Sequence, residues 1–183
     1  MLNELDILKD ITQKLDKVNI SYMLTGSIAM NYYAVPRMTR DIDIIIEIYF
    51  KDIDPLIEIF KDEYYIERNS IIDSIKRNSI FNIIHNSSFI KVDFIIRKKE
   101  EYRKIEFNRR LKVDFTGFPI YIVSKEDLII SKLFWAKTGD SDYQLRDVIN
   151  LMNTGYDKEY ILNWSNKLGI LKLYNKCKTQ VLK

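Results

Sequence analysis

Residues Leu24 to Ile46 read LTGSIAMNYYAVPRMTRDIDIII. Gly26-Ser27 closes a short apolar run, helix-prone residues follow, and Asp41-Ile42-Asp43 heads a second apolar run. Ile20 to Thr25 has the length and composition of a strand. A helix capped by Ser27 follows to about Val35, because the residue before Pro36 disfavours the αR backbone. Asp41 to Tyr49 then forms a strand with Ile42, Ile44, Ile46 and Ile48 on one face. The other face carries Asp41, Asp43, Ile45 and Glu47. Carboxylates at i and i+2 of a strand share a face, with Cα atoms about 6.7 Å apart. They can hold hard divalent cations about 3.5–4 Å apart. A Gly-Ser entering a helix offers unpaired backbone N–H groups to a phosphate. Polar residues in a strand that should be apolar mark a place where a site is expected.

The rest of the chain surrounds this unit with alternating elements. Leucine, isoleucine and valine from Leu2 to Val18 recur every three to four residues, predicting an amphipathic helix to about Lys17. Asp52 to Lys61 reads as a helix with Pro55 in its first turn. Ser70 is expected to cap a short helix to Arg77. Ser79 to His85 and Ser88 to Ile96 form a hairpin around Asn86-Ser87. Lys99 to Arg110 is helix-prone; Lys112 to Phe115 and Pro119 to Val123 are short strands. After Ser124, which begins a capping box with Asp127, the chain is helical. Thr138 to Ser141 is a loop, Tyr143 to Asn153 a helix, Asp157 the cap of another, and Gly169 the break before the last. The expected fold is α+β: a mixed sheet flanked by helices over residues 1–118, and a helical C-terminal region over 119–183.

The 183 residues include 46% apolar side chains, with 5 Gly and 3 Pro, which excludes a disordered or low-complexity chain. Cys177 is the only cysteine, so no disulfide framework exists and a reducing compartment is expected. The N-terminal segment lacks the apolar core of a signal peptide, and no run is long enough to span a bilayer. A soluble cytoplasmic protein is therefore expected, with no membrane partner. The net charge of +3 is unevenly spread. Basic side chains crowd Arg97–Lys112, and lysines without acids crowd Lys167–Lys183. Such clusters are solvated helix faces or hold a polyanion such as RNA.

A third acid, Asp93, interrupts the apolar strand FIKVDFII, residues 89–96. A charge there is costly unless a cation or hydrogen bonds compensate. It either joins Asp41 and Asp43 at a metal platform or pairs with Lys91 or an arginine. Transfer of phosphoryl or nucleotidyl groups needs mainly positioning and charge neutralisation, which this ordered set supplies. His85 is the only histidine and reads as a hairpin-end residue; one histidine and one distant cysteine cannot build a zinc site. Tyr32-Tyr33 and Tyr64-Tyr65 suit either the core or base stacking, and Trp135 and Trp164 suit packing.

Gly26-Ser27, Arg37-x-Thr39-x-Asp41-Ile42-Asp43 and Asp93 together resemble the signature of the DNA polymerase β-like nucleotidyltransferase superfamily. Glu126-Asp127-Leu128-Ile129-x-x-Lys132-Leu133 followed by Leu145-Arg146-Asp147-Val148 is similar to its AbiEii-type branch, which is associated with abortive-infection and toxin–antitoxin systems. The resemblance covers about residues 20–150. It implies transfer of a nucleoside monophosphate from an NTP to a hydroxyl at a two-metal Mg²⁺ site. Gly26 and Ser27 would contact the phosphates, Asp41 and Asp43 would bind metal, and Asp93 would bind metal and act as base. Lys132 would reach the triphosphate, or is an exposed helix lysine; Asp147 would support the site, and Thr39 stands within the motif. Arg37 and Arg40 would neutralise phosphate by position alone. Two departures stand out: Asn150 replaces a second acid of some relatives, and the loop with Asp140 and Asp142 is acidic.

Three functions compete on these residues. An active nucleotidyltransferase would modify a tRNA or other RNA end, a protein, or a small molecule such as an antibiotic, and a toxin would have an antitoxin partner. A catalytically silent module of the same fold would serve as antitoxin or regulatory partner. A structural RNA-binding protein would rest on the basic stretches alone.

Overall fold

The computed structural model describes residues 2–139 and 141–181. Asp140 of the acidic loop and Lys183 of the terminal lysine cluster lie outside the described residues. The chain divides into two compact units: Met1–Ile28 with Met38–Ile122, and Ala29–Arg37 with Val123–Lys183.

The first unit contains a seven-stranded sheet. Its strands are β1 (Ser21–Thr25), β2 (Ile42–Glu47), β3 (Tyr64–Tyr65), β4 (Ile80–His85), β5 (Lys91–Ile96), β6 (Leu111–Phe115) and β7 (Phe118–Ile122), in the spatial order β3-β4-β5-β2-β1-β7-β6. β2 pairs with β5 and β1 with β7 in parallel; the other neighbours are antiparallel. Among the described residues four α-helices accompany this sheet, α1 (Glu4–Lys17), α3 (Ile53–Phe60), α4 (Arg68–Arg77) and α5 (Glu101–Asn108), with a 3-10 turn over Phe50–Asp52. The expected mixed sheet with helices is the observed fold.

Local chemistry sets the element ends. Asn3 caps α1, accepting from the Leu5 and Asp6 N–H groups, while Asp6 accepts from the Asn3 N–H. That reciprocal box satisfies donors which the helix cannot. Ile7, Leu8, Ile11 and Leu15 are then buried on one stripe. Ser70 is not the cap expected for α4; Glu67 accepts from Asn69 and Ser70 N–H, starting the helix at Arg68. β3 was not expected, because two residues carry no periodicity. Tyr64 is buried and Tyr65 exposed. His85 ends β4 as expected: its Nδ1 lies 2.8 Å from Ser88 Oγ and closes the hairpin.

The register of the central strands follows from burial. Ile42, Ile44, Ile46, Val92, Phe94, Phe81 and Ile83 all turn to the buried face. A slip of one residue would exchange them for Asp43, Asp93 and Asn82, so the acids are held on the opposite face.

The second unit is helical. It holds α6 (Lys125–Gly139), α7 (Asp142–Met152), α8 (Lys158–Lys167) and α9 (Leu171–Lys178), with most of α2 (Gly26–Tyr33). Ser124 Oγ accepts from the Asp127 N–H at 3.2 Å and donates to Asp127 Oδ2 at 2.6 Å, the expected start of α6. α6 continues through Gly139, where a loop from Thr138 was expected. Asp157 caps α8 by accepting from the Tyr160 N–H. Trp164 is buried, but Trp135 is 54% exposed and does not pack as expected.

Candidate active site

In the first unit, β1 passes directly into α2 without a loop. Gly26 makes this turn at φ +68°, a conformation costly for residues with a Cβ. Space is equally restrictive. A Cβ on Gly26 would stand 2.0 Å from Asp43 Oδ2, so the carboxylate lies against the glycine backbone. Ser27 is not the N-cap that was expected but the second residue of the helix. The leading N–H groups of a helix lack intrahelical partners and favour an anion.

β2 and β5 bring the acids together. Asp43 and Asp93 are direct register partners, so their side chains leave the same sheet face from strands about 4.8 Å apart. Thr25 pairs with Asp43 and Asn82 with Asp93, extending the polar row across four strands. Asp41 precedes β2 by one residue and is exposed, and the Thr39 Oγ1 accepts weakly from its N–H at 3.4 Å. Arg40 is exposed beside it.

Lys91 is the additional component. Its Nζ is 2.8 Å from Asp93 Oδ2. The Asp93 hydrogen bond raises the lysine pKa, partial burial opposes this, and the charges of Asp93, Asp41 and Asp43 add to it. One ammonium therefore feels all three acids. Asp93 thus shares a sheet face with Asp43 and is paired with Lys91, the second of the two arrangements expected for it.

Among the described residues no group of three or more His, Cys, Asp or Glu side chains is gathered to hold a metal ion alone. Mg²⁺, however, is commonly held by one or two carboxylates with waters and substrate phosphates. Hard oxygens from neighbouring strands, beside a helix start suited to phosphate, fit a cation that arrives with its nucleotide.

The second unit holds a separate charged cluster. Arg37 forks onto Asp147, Nε to Oδ1 at 3.0 Å and Nη2 to Oδ2 at 3.1 Å. Lys132 donates to Asp147 Oδ2 at 2.7 Å and to Gln144 Oε1 at 3.2 Å. Burial would raise the Asp147 pKa, but hydrogen bonds and charges from Arg37 and Lys132 outweigh it and hold it below the usual carboxylate range. Lys132 is only 4% exposed, so it is not the solvated helix lysine that its spacing also allowed. Asn31 clamps the Arg37 backbone, donating to its carbonyl at 2.9 Å and accepting from its N–H at 3.0 Å. Asn150 donates to the Val35 carbonyl at 2.9 Å, which a carboxylate could not do. Asn31 and Gln144 were not singled out from the sequence; Gln144 could have been, because it lies one turn before Asp147 on α7.

The chain matches no protein-family profile, and no curated protein resembles it in sequence. Solved structures do resemble it. An antigenic nucleotidyltransferase-like protein from Paracoccidioides brasiliensis superposes with a TM-score of 0.63 at 17% identity, covering 96% of this chain and 88% of that one. The lincosamide antibiotic adenylyltransferase LnuA, lincomycin-bound, gives 0.55 at 14% identity over 82% of this chain and 96% of its own. The antibiotic-resistance factor ANT(2'')-Ia gives 0.52 at 11% identity over 97% and 93%. The fold of this chain is that of the nucleotidyltransferases.

Proposed function

We propose that the chain is a Mg²⁺-dependent nucleotidyltransferase that moves an NMP from an NTP to a hydroxyl acceptor. The observation that carries this reading is the in-register pairing of Asp43 with Asp93 beside the Gly26-Ser27 helix start. The N–H groups at that start bind the β- and γ-phosphates. Asp41, Asp43 and Asp93 would hold Mg²⁺, which when bound supplies charge neutralisation at the phosphates. Asp93 takes the proton of the acceptor hydroxyl as the new O–Pα bond forms, and the Pα–O bond to pyrophosphate breaks. Lys91 must leave Asp93 for that role. Arg37, Lys132 and Asp147 form a charged cluster of their own in the second unit, and Arg40 and Thr39 stand beside Asp41 in the chain.

The C-terminal motif around Lys132 and Asp147 supports a finer reading: the toxin of an abortive-infection or toxin–antitoxin pair, acting in the cytoplasm and restrained by an antitoxin. An antibiotic acceptor is the second reading, favoured by the lincomycin-bound neighbour. A test incubates the purified chain with Mg²⁺ and α-labelled NTPs against total RNA, a lysate and an antibiotic panel. Label should enter one acceptor class and be lost in Asp43→Asn. Undiminished transfer by an Asp41→Ala, Asp43→Ala double variant would overturn the assignment.

A further inference from the structure

At the end of β2 away from Asp43 lies a groove of about 520 Å³ with no role in the chemistry above. Glu47 at its edge follows Asp43 by four residues, or about 13 Å along the strand. Three exposed lysines line the groove from three different segments: Lys76 on α4, Lys99 after β5, and Lys104 on α5. Glu47 is the only acid among the lining residues, and Arg97 neutralises it, Nε to Oε1 at 2.9 Å. The groove therefore carries an excess of positive charge. Its other wall presents two consecutive aromatic rings, Tyr49 and Phe50, at 55% and 56% exposure.

Exposed rings beside lysines have a defined chemistry. Unpaired bases stack on aromatic faces while phosphates run along the cations. A duplex hides its base faces and cannot use the rings. An acidic peptide would use the lysines but gains little from two adjacent flat rings. The volume lies within the range of pockets that enclose ligands of roughly nucleotide size. We propose that this groove binds single-stranded polynucleotide, with bases on Tyr49 and Phe50 and phosphates on Lys76, Lys99 and Lys104. Joined to the transfer reading above, on which this extension rests, it makes a nucleic-acid hydroxyl the acceptor.

Fluorescence anisotropy tests the groove without any catalysis. Labelled 12-nucleotide oligo-rU and oligo-dT, a duplex of the same length and an oligo-glutamate peptide are titrated with the full chain between 50 and 200 mM salt. Either single strand should bind more tightly than duplex or peptide. The Lys76→Ala, Lys99→Ala, Lys104→Ala variant should weaken binding at least 10-fold and flatten the salt slope by about 2, near 0.7 per lost phosphate contact. Tyr49→Ala with Phe50→Ala should weaken it about 10-fold with the slope unchanged, consistent with lost stacking. All five side chains are exposed, and circular dichroism checks that each variant is folded. Equal binding by wild type and both variants, or preference for duplex or peptide, overturns the proposal. Single-strand binding without label transfer to that strand overturns only the extension to the acceptor.

Discussion

Replacing Gly26 by alanine tests the link between the helix start and the acids most sharply. At φ +68° a side chain costs about 1–2 kcal/mol by itself. The new Cβ would also meet Asp43 Oδ2 at 2.0 Å, Cγ at 2.7 Å and Cβ at 2.9 Å, where ordinary contact begins near 3.4 Å. Asp43 must then move by more than 1 Å while its strand stays paired on both sides. Overpacking of this kind costs about 1–3 kcal/mol. The total of about 2–5 kcal/mol corresponds to a Tm loss of about 4–20 °C for a chain of this size. Displacement of a reacting group by about 1 Å lowers turnover roughly 100-fold. The assay is urea unfolding of Gly26→Ala in the wild-type and Asp43→Ala backgrounds. Truncating Asp43 removes Oδ2 and Cγ, so the penalty should fall toward the backbone component, a coupling of about 1 kcal/mol or more. Equal penalties in the two backgrounds would refute the contact argument.

Asp147→Ala should destabilise by about 3–5 kcal/mol, because Lys132 is left buried without its carboxylate. Its depressed pKa makes the stabilisation complete above the unfolded value near 3.9 and lost as pH falls through the folded one. Acid unfolding monitored by fluorescence should therefore show a shallower pH dependence in Asp147→Asn than in wild type. Lys91→Met should change stability by less than about 1 kcal/mol, since the pair is partly exposed, yet tighten Mn²⁺ binding severalfold by calorimetry. Unchanged or weaker Mn²⁺ affinity would contradict the placement of its charge. Burial pushes the Cys177 thiol up to about 11, against the opposing charge of Lys176. A thiol reagent at pH 8 should label it slowly in the folded chain and fast in urea.

The central strands were legible because their isoleucines alternate, and that alternation also dictates which face Asp43 occupies. Asp93 was legible as an acid in an apolar strand, and Asp41, Asp43 and Lys91 were legible as its candidate partners, but the register that sets it opposite Asp43 was not. Parallel pairing of β2 with β5 joins residues 50 apart in sequence, and no local pattern encodes it. Likewise, Glu67 rather than Ser70 caps α4: its carboxylate accepts from the Asn69 and Ser70 N–H groups, so the helix has already begun when it reaches Ser70. Trp135 was assigned to packing by residue type, yet its position on α6 turns it outward. Lys132 on α6 meets Gln144 and Asp147 on α7 only through the packing of the two helices, so the buried charge cluster was visible only as separate letters.

Under the proposed function, Asp43 and its neighbouring acids hold a metal–nucleotide complex at the Gly26-Ser27 turn. Crystals grown with Mn²⁺ and a non-hydrolysable NTP test it directly by anomalous scattering. A manganese peak about 2.1 Å from the Asp43 carboxylate, with phosphates at the α2 N-terminus, is the expected result. Nucleotide bound elsewhere, or manganese absent from Asp41, Asp43 and Asp93 at saturating concentration, would contradict it.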